Sequence, residues 1–159
     1  MMVKEKRHIS KQARYINDTS LFVNAHDHMM FEYAIREALG EEDIFDSVYA
    51  PMLRKGGINV IATSVGGNSP CVCNLTDDLL LGSLEQIDML RRAEKESKRF
   101  RICHNAAEIE AAAADGKIAV VLAFEGARAL EGLPGESSLS LLRTFYRLGD
   151  YEGASSSVV

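Results

Sequence analysis

The chain has 159 residues, 47% of them hydrophobic, with only three prolines and a formal net charge of −5 at pH 7. That is enough apolar material for one domain with a real core, and it excludes a disordered chain. The acidic balance and the lack of a Lys/Arg stripe argue against nucleic acid as a partner, and no apolar run approaches the roughly 20 residues of a membrane span.

Residues 1–20, with Lys4, Lys6, Arg7, Lys11 and Arg14, read as a solvated leader. They lack the apolar region of a secretory signal, so a cytoplasmic protein is expected. Leu21-Phe22-Val23 is an apolar strand segment that ends at Asn24-Ala25-His26-Asp27-His28. Asp43 to Arg54 has the spacing of a helix, with Ile44, Phe45, Val48 and Met52 along one face, and Gly56-Gly57 stops it. Ile58 to Val65 is the second strand, rich in β-branched residues, and Gly66 to Pro70 is a loop.

Thr76 or Asp77 can cap a long helix carrying Leu80, Leu84, Ile87 and Leu90. Its far end, Arg91 to Arg99, is charged and solvated. Phe100 to Cys103 reads as a short extra strand. Asn105 with Glu108 resembles a capping box for a helix that runs through an alanine stretch to Gly116. Lys117 to Phe124 is the third and clearest strand, apolar enough to be buried on both faces. Leu139 to Leu148 is a final helix closed by Gly149. Strands alternating with helices predict an α/β fold with a parallel sheet. Residues 150–159 break this rhythm: they are small and polar where another strand is due, which suggests a truncated or frameshifted reading.

Chemistry in such folds gathers at the C-terminal ends of strands. His26 and His28 stand two apart in an extended segment, so both imidazoles face the same side while Asp27 faces the other. A pair of neutral imidazoles suits zinc and similar ions; the plainer alternative is a surface pair at a loop mouth. Glu125 directly follows the clearest strand in Phe124-Glu125-Gly126. It could bridge two cations or simply open a solvated loop. Gly66-Gly67-Asn68-Ser69-Pro70 lacks phosphate-loop spacing and is either a substrate-side loop or a flexible turn. Cys71, Cys73 and Cys103 form no disulfide or zinc pattern and read as loop thiols; His104 reads as a surface histidine and His8 lies in the leader. No nucleophile elbow is present.

The ordered set of motifs resembles the membrane (renal) dipeptidase family, a branch of the metal-dependent amidohydrolases. The likeness spans about Leu21 to Gly149. It rests on the His-x-His strand, on Leu53-Arg54-Lys55-Gly56-Gly57, and on Leu84-Glu85-Gln86-Ile87-Asp88. Gly116-Lys117-Ile118-Ala119 leading to Phe124-Glu125-Gly126, and Leu141 to Gly149, complete it.

The resemblance implies the first three to four β/α units of a TIM-type (β/α)8 barrel over residues 21–149. It implies a binuclear Zn2+ centre, only part of which is encoded here, and a dipeptide or related small amide as substrate. By that match His26 is a ligand of the first metal, Glu125 bridges both metals and serves catalysis, and His28 is a ligand where the family usually has Asp. The family's remaining metal histidines, a substrate-binding arginine and a late aspartate lie beyond this chain. A homo-oligomer is compatible with these features. Two other functions remain open: a non-catalytic metal-binding or interaction module, and an amidohydrolase acting on a cyclic amide or lactone.

Overall fold

The computed structural model describes residues 9–66, 78–124, 126–131 and 137–149. Ser10 caps the first helix, α1 (Lys11–Thr19), accepting from the Ala13 amide; α1 buries none of its residues. Strand β1 (Val23–Asp27) follows, so His26 and Asp27 lie within the extended segment and His28 just past its end. Its entry is pinned by the Phe22 amide, which donates to the Asn59 side chain at 3.0 Å, and by the Phe22 carbonyl, which accepts from Asn59 and Val60.

A helix absent from the sequence reading, α2 (Met29–Ala38), comes next, burying Met29, Met30 and Tyr33. Those residues stand at i, i+1 and i+4, one face of a helix. The helix expected over Asp43 to Arg54 is present but begins as a π-helical turn (Phe45–Tyr49) that passes into α3 (Ala50–Gly56). The wider turn rotates the inward face. Phe45, Tyr49, Ala50 and Leu53 are buried, Val48 is partly buried, and Met52, expected inside, is 58% exposed.

Gly57 ends α3 in the left-handed region at φ 74, with its amide bonded to the Arg54 carbonyl and the Ile58 amide to the Leu53 carbonyl. This is the Schellman pattern. A Cβ at Gly57 would also stand 2.1 Å from the Asn17 side chain of α1. Gly57→Ala is therefore expected to lower stability by about 1–2 kcal/mol, through left-handed strain together with displacement of Asn17. Chemical denaturation measures this, and an unchanged midpoint would refute the argument.

Strand β2 (Val60–Ser64) leads to α4 (Leu79–Glu96), capped by Asp78, which accepts from Leu81; Thr76 and Asp77 lie outside the described residues. Ile87 and Leu90 are buried as expected, whereas Leu84 is 38% exposed, and Ser83 and Gln86 are fully buried polar residues on the inner face. The extra strand is real: β3 (Phe100–Ile102) precedes α5 (Ala106–Ala114). The Asn105–Glu108 capping pair forms, with its return bond shifted one residue back, to His104 rather than to Asn105 itself. Asn105 accepts from the Glu108 amide at 3.0 Å, and the Glu108 carboxylate takes the His104 amide at 2.8 Å. Strand β4 (Ile118–Ala123), a 3-10 turn (Arg128–Leu130) and α6 (Ser137–Gly149) complete the described chain.

All strand pairings are parallel, in the order β1-β2-β4-β3. The three main strands thus lie side by side in sequence order, and the short β3 sits outside them, paired only with Ile118 to Val120. The chain steps past β4's place to form β3 and then steps back. Crossovers of this kind are right-handed, so a backward step must carry its helix over the opposite face. The packing agrees. One face of the sheet (Ile61, Val65, Ile118, Val120) is covered by α2, α3, α4 and α6; the other (Val60, Ala119, Val121) meets Ala112 and Ile109 of α5.

Candidate functional site

The edge strand β1 carries the two histidines. Its register against β2 slips once: Asn24 lies opposite Ile61, but Asp27 lies opposite Thr63, so β1 holds one extra residue between them. A bulge of this kind re-aims side chains. Past it, Asp27 shares the helix-covered face with Thr63, and His26 and His28 fall on the other face. Asp27 is bound there, its carboxylate accepting from the Met29 amide at 2.7 Å and from the Asn24 side chain at 3.2 Å. It thereby starts α2, whose N-cap is His28.

The imidazoles converge. Their Nε2 atoms are 2.7 Å apart, the ring centroids 4.6 Å apart and the planes 71° to one another. Both side chains are exposed. At that separation one nitrogen carries a proton and the other accepts it, or the two lone pairs meet a shared cation. As placed, 2.7 Å is hydrogen-bond spacing; to take two positions of a tetrahedral zinc sphere, with Zn–N of about 2.0–2.1 Å, the two nitrogens must part to roughly 3.3 Å, which exposed side chains on an edge strand allow. Among the described residues no group of three His, Cys, Asp or Glu side chains gathers to hold a metal. Glu125, Cys71 and Cys73 lie outside the described residues, as do Gly67 to Pro70.

The floor beneath the pair is made of small residues. Ser64 lies opposite Ala123 and Ala62 opposite Val121 on the histidine-bearing face. Ser64 is 5% exposed and Thr63 fully buried, and neither hydroxyl has a hydrogen-bond partner among the described residues. The turn after β2 is held from below. The Gly66 amide donates to the buried Gln86 side chain at 2.6 Å, and Gly66 itself has φ +74, with the Ser83 hydroxyl 2.1 Å from where a Cβ would stand. Gln86 and Ser64 were not singled out for these roles from the sequence. The available signal was a polar residue at a core position: Gln86 within the apolar spacing of α4, Ser64 within a β-branched strand.

Elsewhere the chemistry is silent. Burial pushes the Cys103 thiol up to about 11, so it is no nucleophile near neutral pH. His104 is half-buried at the start of α5 and apart from the pair. A groove of about 800 Å3 between α2 and α4, lined by Phe31, Ile35, Leu39 and Leu84, contains neither histidine.

Three comparisons bear on this arrangement. The curated protein "Uncharacterized protein in PQQ-III 3'region" of Acinetobacter calcoaceticus is 38% identical over 66 residues, 42% of this chain and 19% of that protein. A solved structure titled as dipeptidase AC, a metallopeptidase of family M19, superposes with a TM-score of 0.63 at 18% identity. The match covers 82% of this chain and 41% of the solved one, so the shared fold is the partial α/β barrel and this chain spans about two-fifths of it. The family model described as membrane dipeptidase (peptidase family M19) matches residues 10–150, nearly the whole described chain. By that match the chain belongs to the membrane dipeptidase family.

Proposed function

We propose that this chain supplies part of the metal centre of a hydrolase that cleaves dipeptides, with His26 and His28 as ligands and Glu125 as the bridging carboxylate. The observation that carries the reading is the approach of the two Nε2 atoms to 2.7 Å on the open face of the edge strand. Zinc bound at such ligands would make a hydroxide available near neutral pH and polarise a peptide carbonyl. The chain's own part is to hold the imidazoles in place. Asp27, facing away, anchors the first turn of α2 and so sets the direction of His28. Glu125 follows β4 with Phe124 between them in sequence, and its role is carried by the family likeness. His28 stands where the family usually has Asp; an imidazole serves as a neutral ligand in that place.

Because the chain spans 41% of the solved dipeptidase, the proposed activity is that of a completed barrel. The test is release of free amino acids from a dipeptide panel with added zinc. It is run on this chain and on a fusion in which the remaining barrel of a family member follows Gly149. Turnover is expected only from the fusion, with a loss of several orders of magnitude on Glu125→Gln, because residues that act as a unit fail together. Turnover that survives Glu125→Gln refutes the assignment. Activity on a cyclic amide or lactone with none on dipeptides would move the substrate to another amidohydrolase class.

A further inference from the structure

Ser64 ends β2 on the face that carries the histidine pair, one strand in from them, opposite Ala123 of β4. It is buried to 5% exposure, and its hydroxyl lacks a hydrogen-bond partner among the described residues. A buried hydroxyl left unpaired is costly, and such groups in folded proteins are usually satisfied. Its neighbours on that face, Ala62, Val121 and Ala123, offer no side-chain donor or acceptor. Thr63, the other unpaired hydroxyl, belongs to the opposite face, which the helices cover, and so cannot share the ligand. Among the described residues, then, nothing pairs with the Ser64 hydroxyl, which stands on the face of His26 and His28.

We propose that Ser64 is a positioning residue of this site, its hydroxyl hydrogen-bonding an oxygen brought to the inner face of the sheet. That oxygen is either a water held by the bound metal or a carbonyl or carboxylate oxygen of the substrate. The inference rests on the metallohydrolase reading above. A hydroxyl kept for a ligand does nothing for the metal-free fold. Removing it therefore relieves an unsatisfied buried group and costs only the ligand.

The experiment uses the full chain and three measurements on wild type, Ser64→Ala and the His26→Ala/His28→Ala double variant. These are the metal-free denaturation midpoint, zinc affinity by calorimetry, and zinc affinity again in the presence of an excess dipeptide. Ser64→Ala is expected to leave the metal-free midpoint unchanged or raise it. It is also expected to weaken binding roughly tenfold, the lower end for a group that orients a metal site from outside. Weakening with zinc alone assigns the bonded oxygen to water; weakening only with dipeptide present assigns it to the substrate. A lowered metal-free midpoint overturns the proposal, because the hydroxyl then has a structural partner. Unchanged affinity in both conditions also overturns it. Should the histidine double variant bind zinc as wild type does, the metallohydrolase reading itself falls and Ser64's role with it. That outcome is distinct from one in which the histidines matter and Ser64 does not.

Discussion

Replacing both His26 and His28 by alanine is expected to weaken zinc binding by at least about a hundredfold, or about 2.7 kcal/mol. The wild-type chain itself should bind no tighter than roughly micromolar, because His26, His28 and Glu125 are only part of the ligand set that the family likeness implies, and catalytic zinc usually needs three protein ligands in good geometry. Each single variant should lose most of the affinity, since one imidazole cannot chelate. Asp27→Asn is the informative control. Its side chain faces the helix-covered side and binds the Met29 amide, so it should leave zinc affinity almost intact while loosening the start of α2. Calorimetric titration of the five proteins decides the matter. Tight binding that ignores the double substitution would mean the ion sits elsewhere and the histidines are a surface pair. A large loss in Asp27→Asn would mean that this carboxylate, not the imidazoles, carries the site.

Phe100→Ala should be the most damaging single substitution to the fold, costing about 3–5 kcal/mol. Phe100 is fully buried and stacks on Phe45 of the π-helical turn, centroids 4.0 Å apart. The strand it opens is only three residues long and pairs along one edge, so its backbone hydrogen bonds alone hold little. The same turn holds the approach to β3 through Asp46, which accepts from the Ser97 hydroxyl and faces Arg99 at 3.9 Å. Removing the ring leaves a cavity where the crossover from α4 to β3 is fastened. Against a total stability of about 5–15 kcal/mol, a loss of that size leaves little reserve. Urea denaturation of Phe100→Ala beside the milder Phe100→Leu gives the comparison. A loss under about 1 kcal/mol would show that β3 is held by something other than this stack.

The histidine pair was legible because the argument for it is local. Two residues apart in an extended segment share a face, and β1 extends through His26 and Asp27, with His28 immediately after. Glu125 was legible only as a carboxylate at a strand's end, and its placement lies outside the described residues. Ser64 escaped notice because a serine in a β-branched strand carries no signal until its burial and its missing partner are known. The α2 helix has apolar residues at helical spacing in Met29, Met30 and Tyr33, but it starts at His28 with no side-chain cap to mark its beginning in the sequence.

The sequence by itself determined the α/β alternation, the Schellman stop at Gly57, the Asn105–Glu108 capping box and the identity of the metal-binding candidates. These depend on hydrogen bonds and side-chain spacings that close within a few residues. Only the tertiary structure decided that β3 lies outside β4, that α5 covers the opposite face, and that the π-helical turn swings Met52 outward and Leu53 in. It also decided the slip in β1 that puts Asp27 on the helix-covered face with Thr63 and leaves the imidazoles on the other. Each of these is settled by which long-range packing buries most apolar surface while keeping crossovers right-handed and backbone groups paired. No spacing within a single segment encodes that choice.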